Sequence, residues 1–132
     1  MVPFETVVEP DAAVERAPDG SLVRPLARLD GLGSVATFEL PPGAVSAAVV
    51  HAVVAEIWYV LSGAGELWRR QGAREDVTPL RAGVCATVPA GTAFQFRAGS
   101  AEALRVVAVT MPPWPGPGAA RAVPGRWDPR IE

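Results

Sequence analysis

The 132-residue chain contains a single histidine, His51, and a glutamate follows it five residues later at Glu56. Histidine is the side chain whose ordinary pKa lies nearest neutrality, so it can take or give a proton at working pH. A carboxylate beside it can orient the ring and favour its charged form. The chemistry such a pair suits is general acid–base catalysis. Five residues of regular strand would leave the two side chains on opposite faces, so they can meet only where the chain bends between them. Trp58 shares strand parity with Glu56 and is expected to line the same pocket, with Tyr59 turned away. Phe94 and Phe96 share parity with each other and are expected as pocket wall or core, with Gln95 and Arg97 on the opposite face. Arg97 reads as a solvated or interface residue, and Trp68, Arg69 and Arg70 as a surface or subunit-edge group near a hairpin.

The elements that must carry these residues read as strands. Fourteen Pro and thirteen Gly punctuate the chain, and no long helical periodicity appears. Val35 to Leu40 alternates, with Ala36, Phe38 and Leu40 on one face. Strands are also expected over 4–8, 47–54, 56–61, 66–69, 77–80, 84–88, 92–97 and 104–111, the last apolar enough to be buried on both faces. Ser62-Gly-Ala-Gly65 reads as a hairpin turn, and Gln71 to Arg74 as a polar loop. Many short strands with regular turns give an all-β sandwich or barrel. Residues 1–20 form an N-terminal strand and linker, 21–111 the barrel, and 112–132 a Pro-rich arm whose Trp114 and Trp127 pack on the barrel or on a neighbouring subunit. The arm is expected to cover a sheet edge, because Pro lacks the donor that a central strand needs.

A length of 132 residues allows one domain with a real core. A formal net charge of -2, with all twelve basic residues Arg, gives no footprint for nucleic acid. No apolar run reaches membrane-spanning length, and no basic segment leads into an apolar run at the N-terminus. Cys85 is the sole cysteine. It is expected as a small core residue in a cytoplasmic protein, since no internal disulfide can form.

Gly43, Val49, His51, Glu56 and Gly63 repeat the spacing of a known pattern: glycine, five residues, His-x-His, four residues, Glu, six residues, glycine. Gly83, Pro89, Gly91, Phe94 and Ala98 repeat a second: glycine, five residues, Pro-x-Gly, two residues, His, three residues, Asn. Both frames resemble the two motifs of the cupin family. Three further stretches, Glu56 to Gly63, Thr92 to Arg97 and Thr110 to Gly116, resemble a subgroup of small bacterial single-domain cupins. The resemblance implies a single jelly-roll barrel (a double-stranded β-helix) with an internal pocket, often paired as a homodimer. It also implies a metal held by three His and one Glu, but Val49 and Phe94 replace two of the histidines and only His51 and Glu56 remain. Two protein ligands hold a transition metal poorly, so no cofactor is expected; if a metal binds, those two residues hold it.

The expected function is a cofactor-independent enzyme acting on a small organic molecule: an isomerase, cyclase, dehydratase or lyase, in specialised metabolism by analogy. His51 and Glu56 would do the acid–base work, and Trp58, Phe94, Phe96 and Val49 would contact the substrate. Two other classes stay open: a non-catalytic small-molecule binder, and a reduced-ligand metal cupin such as a dioxygenase. The pair also reads as an inert remnant of an ancestral metal site. No nucleic-acid or membrane partner is expected.

Overall fold

Period-two alternation of apolar residues builds nearly the whole molecule. The computed structural model describes residues 1–116, 118 and 120–131. After a short 3-10 turn at Glu9–Asp11 come β1 (Glu15–Arg16), β2 (Leu22–Leu29), β3 (Gly33–Leu40), β4 (Val49–His51), β5 (Ala55–Ser62) and β6 (Ala64–Gln71). They are followed by β7 (Arg74–Arg81), β8 (Cys85–Val88), β9 (Ala93–Ala98), β10 (Leu104–Met111) and β11 (Ala120–Ala122). These form two antiparallel sheets, one ordered β1-β2-β3-β10-β5-β8 and the other β11-β4-β9-β6-β7. The protein is all-β, with the two-sheet barrel architecture that the sequence resemblance implies. Among the described residues no helix is long and apolar enough to cross a membrane.

The core fills the space between the sheets. Ala36, Phe38 and Leu40 of β3 point inward as their alternation predicts, and so do Trp58 and Val60 of β5 and Val106 and Ala108 of β10. Phe38, Trp58 and Phe96 meet edge to face, with centroids 4.7, 5.1 and 5.4 Å apart. That is the arrangement favoured by the ring quadrupoles.

Several expectations are corrected. Ser62 to Gly65 is not a hairpin: β5 pairs with β10 and β8, whereas β6 pairs with β7 and β9. The chain changes sheets at Gly63, where φ is +84° and an added Cβ would lie 2.2 Å from the Ala103 carbonyl oxygen. Only glycine fits both conditions. The true hairpin is β6–β7, closed at Gly72-Ala73, where a loop was expected. Residues 4–8 form no strand, and of 47–54 only Val49–His51 does. β10 is buried on one face only; Val109 and Met111 are more than a third exposed. Cys85 is exposed, because Ala86 and Val88 take the inward parity of β8.

The C-terminal arm covers the outer face of the second sheet. β11 pairs with β4, giving that sheet a new edge strand. Trp68 is therefore buried rather than at the surface, in a cluster with Ala48, Ala93, Val77, Val123 and Trp127. Gln95, which faces away from the pocket as expected, is fully buried and latches the arm. Its Oε1 accepts from the backbone N–H groups of Arg126 and Trp127, and its Nε2 donates to the carbonyls of Ser46 and Trp127. Arg97 pairs with Glu66 and lies over the Trp127 ring, 4.1 Å from its centroid. Trp114 packs against the main core from the other side. Readings of the arm at Pro117, Ala119 and Glu132 lie outside the described residues.

Candidate functional site

His51 ends β4 in one sheet and Glu56 is the second residue of β5 in the other. The intervening bend, with its exposed Val53, is what brings them together. His51 Nε2 lies 3.2 Å from Glu56 Oε2, and both side chains are buried. The other carboxylate oxygen, Oε1, accepts a hydrogen bond from Trp58 Nε1 at 2.9 Å. Both oxygens of Glu56 are thus engaged. A carboxylate facing Nε2 favours the tautomer protonated there, which leaves the lone pair on Nδ1. Nδ1 is buried and has no hydrogen-bond partner among the described residues. Buried polar atoms are rarely left in this state, and a ligand is one way to satisfy them.

The surrounding wall is aromatic and aliphatic. Phe94 stacks on His51 with centroids 5.8 Å apart and planes 23° apart, and meets Trp58 edge-on at 5.7 Å. Val49 lies opposite Phe94 in the β4–β9 register. His51, Glu56, Trp58, Phe94 and Val49 all line one internal cavity of about 50 Å³. Phe96 does not: it stands behind the wall in the core, edge-on to Phe38 and Trp58. The volume suits a few water molecules, so a substrate-sized ligand requires the lining to open. Ala17, Pro18, Trp114 and Ala120, contributed by the two terminal segments, complete the lining.

The sequence reading missed Asp19 and Ser21. Both line the cavity and both are buried. Burial holds the Asp19 carboxyl above the usual carboxylate range, and the Glu56 charge adds to this; hydrogen bonds from Ser21 and the nearby His51 act in the opposite direction. The Asp-Gly-Ser turn carries no motif that would have singled it out. Thr110, also buried and lining the cavity, has a place in the sequence reading only within the 104–111 strand and the Thr110 to Gly116 resemblance, not as a site residue. The cavity lining contains no Arg.

A wider groove of about 530 Å³ lies on the outside, between Phe4 and the β2–β3 turn. Among the described residues its charged groups are Glu5 and Arg28, and it shares no lining residue with the His51 cavity. The smaller cavity, where titratable groups converge, is the better site.

The donors do not fit the four-ligand metal site that the cupin resemblance implies. Val49 and Phe94 offer no lone pair, and the Phe94 ring lies over His51. Among the described residues no cluster of three His, Cys, Asp or Glu has the arrangement to hold an ion.

A family profile described as a cupin domain matches residues 36–110, more than half of the chain. No curated protein matches the sequence. Among solved structures, a Streptomyces PAC13 variant with uridine aligns at TM-score 0.72 and 16% identity, covering 100% of this chain and 95% of that one. A further structure at TM-score 0.72 and 15% identity, covering 98% and 95% of the two chains, describes Pac13 as a unique nucleoside dehydratase. KdgF from Halomonas sp. aligns at TM-score 0.70 and 17% identity, over 83% of this chain and 94% of its own. An uncharacterised double-stranded β-helix protein from Klebsiella pneumoniae aligns at 0.64 and 23%, over 80% and 85%. At these identities the likeness shows the fold alone.

Proposed function

The chain belongs to the cupin family, and from that premise we propose that it is a metal-independent acid–base enzyme acting on a small, uncharged organic molecule. The observation that carries the reading is the unpaired, buried Nδ1 of His51, held beside Glu56 in an apolar cavity.

Neutral His51 takes a substrate proton on Nδ1, and Glu56 opposite Nε2 stabilises the imidazolium that results. The Trp58 hydrogen bond fixes Glu56, and so fixes the ring. Phe94, Trp58 and Val49 exclude water from the reacting atoms, which strengthens every charge interaction inside. With the Glu56 carboxylate and no Arg in the lining, an anionic substrate would meet repulsion and find no partner. Isomerisation, cyclisation and dehydration all begin or end with such a proton transfer. The fold likeness to a protein described as a nucleoside dehydratase puts removal of water first.

The test is a screen of β-hydroxy aldehydes, β-hydroxy ketones and nucleosides, uridine among them, with loss of water read by mass spectrometry. The expected result is turnover that a chelator leaves unchanged. His51→Gln should lower it by about 10²–10⁴-fold with little change in binding. Turnover that His51→Gln leaves intact would refute the mechanism. A second reading, a passive binder of small molecules, is favoured by the largely apolar lining of the cavity. It predicts no turnover and a His51→Gln effect on affinity alone.

A further inference from the structure

Asp19 is a third titratable side chain in the cavity, and it arrives from outside the two sheet frames. It sits in the turn between β1 and β2. Its main-chain oxygen accepts from the Ala47 N–H at 2.8 Å, which ties the turn to the segment leading into β4. Gly20, at φ +95°, lets the turn close against Ile131; an added Cβ would lie 2.7 Å from Ile131 Cγ1. Both ends of the chain therefore hold Asp19 in place. Its Oδ1 accepts two hydrogen bonds, from the Ser21 N–H at 2.9 Å and from Ser21 Oγ at 2.7 Å. That leaves Oδ2 as the oxygen to carry a proton. The charged and titratable groups that act on it are Glu56 and His51, and the cavity lining supplies no Arg to pair it.

We propose that Asp19 is the proton donor of this site, the catalytic acid that complements His51. The inference rests on the acid–base reading above. Hydroxide leaves carbon poorly, so loss of water needs a donor as well as a base. His51 Nδ1 takes the proton from the carbon next to a carbonyl, and the C–H electron pair becomes the new C=C bond. The C–O bond to the β-hydroxyl breaks, and the proton on Asp19 Oδ2 goes to the departing oxygen, which leaves as water. Asp19 is then a carboxylate and His51 an imidazolium; one proton passed from His51 to Asp19, through water or directly, restores both. Burial beside Glu56 favours the protonated carboxyl that this role requires.

Asp19→Asn keeps an acceptor for Ser21 and the volume of the side chain, but has no acidic proton to give. Two measurements separate its role. Infrared difference spectra of wild type against Asp19→Asn should show a protonated-carboxyl carbonyl band at neutral pH in the wild type alone. In D2O, with β-hydroxy ketones and aldehydes as probes, Asp19→Asn should still exchange the α-proton for deuterium. Its water loss should fall by about 10²–10⁴-fold. A residue that only supported the fold would lose both reactions together. Should Asp19→Asn not fold, Ser21→Ala serves instead: losing the hydroxyl's hydrogen bond should move the pH at which the band disappears and the pH at which water loss declines upward together. An active wild type without the band would overturn the role of Asp19 and leave that of His51 standing. So would an Asp19→Asn variant that loses water at the wild-type rate. A wild type that neither exchanges nor eliminates would overturn the enzymatic reading, and this inference with it.

Discussion

His51 Nε2 and Glu56 Oε2, 3.2 Å apart, come from opposite sheets and join them in the wall of the cavity. The pair therefore has two consequences that can be separated. It links the sheets, and it sets which nitrogen of the ring faces the ligand. Removing one member of a buried pair leaves the other uncompensated, a loss of about 3–5 kcal/mol, whereas the intact pair adds far less than its Coulomb attraction suggests.

Glu56→Gln tests both consequences at once. Its amide can turn an N–H toward Nε2, which moves the ring proton to Nδ1 and removes the base. Turnover should fall by about 10²–10⁴-fold, with a smaller change in substrate affinity. Because His51 is the chain's sole histidine, its ring nitrogens give one unambiguous pair of nitrogen-15 signals. The expected result is exchange of the protonated and unprotonated positions between wild type and variant. An unchanged tautomer with lost activity would refute this account.

Val49 and Phe94 face each other in register and stand where the cupin motif places histidines. The double variant Val49→His with Phe94→His should complete a set of three His and one Glu, with His51 and Glu56. Dialysed against zinc or nickel, it should retain near one ion per chain by plasma mass spectrometry. The wild type should retain little, and its turnover should survive a chelator. Near-stoichiometric metal in wild-type protein purified without a histidine tag would overturn the metal-independent reading.

The two glycine frames made the barrel legible. Gly43, Gly63, Gly83 and Gly91 all have positive φ, at +74°, +84°, +93° and +82°. Turns that need this backbone tolerate few other residues, so the frame is legible even where Val49 and Phe94 stand in the motif's histidine positions. Strand parity then placed Glu56 and Trp58 inward and Tyr59 outward, as found. It failed where a second layer intervenes. Parity correctly turned Gln95 away from the pocket, but nothing local in the sequence says that the arm returns to cover that face and bury Trp68. Asp19 was invisible for the same reason: its entry into the cavity depends on contacts with Ala47 and Ile131, both remote in sequence.

Two carboxylates should shape stability in opposite directions with pH. Asp19 has its pKa raised by burial. The folded protein therefore keeps that proton to higher pH than the unfolded chain, and stability is lost as pH rises from the ordinary Asp value through the raised one. Glu9 has its pKa lowered by hydrogen bonds from Thr37 Oγ1 and Arg105 and by the charge of Arg105. Its contribution is present above the ordinary Glu value and is lost as pH falls through the lowered one. Urea midpoints measured across a pH series should show both slopes. Asp19→Asn should flatten the one on which stability falls with rising pH, and Glu9→Gln the one on which it falls with falling pH. A wild-type loss with rising pH that persists in Asp19→Asn would place the titrating group elsewhere.

The outer face of the first sheet gives a final prediction, concerning assembly. Ile57, Tyr59 and Leu61 of β5 and Val109 and Met111 of β10 all point away from the core and are more than a third exposed. The two strands are paired, with Ile57 opposite Val109 and Ala55 opposite Met111, so these side chains form one patch. Among the described residues, β11, Val123 and Trp127 of the arm pack on the opposite sheet. A contiguous apolar sheet face is best satisfied by a second copy of itself, related by a two-fold axis. Sedimentation velocity should therefore find a dimer. Ile57→Arg, which sets like charges against each other at such an interface, should shift the protein to monomer and leave the cavity undisturbed. A wild-type monomer, or a dimer indifferent to that substitution, would place the contact elsewhere.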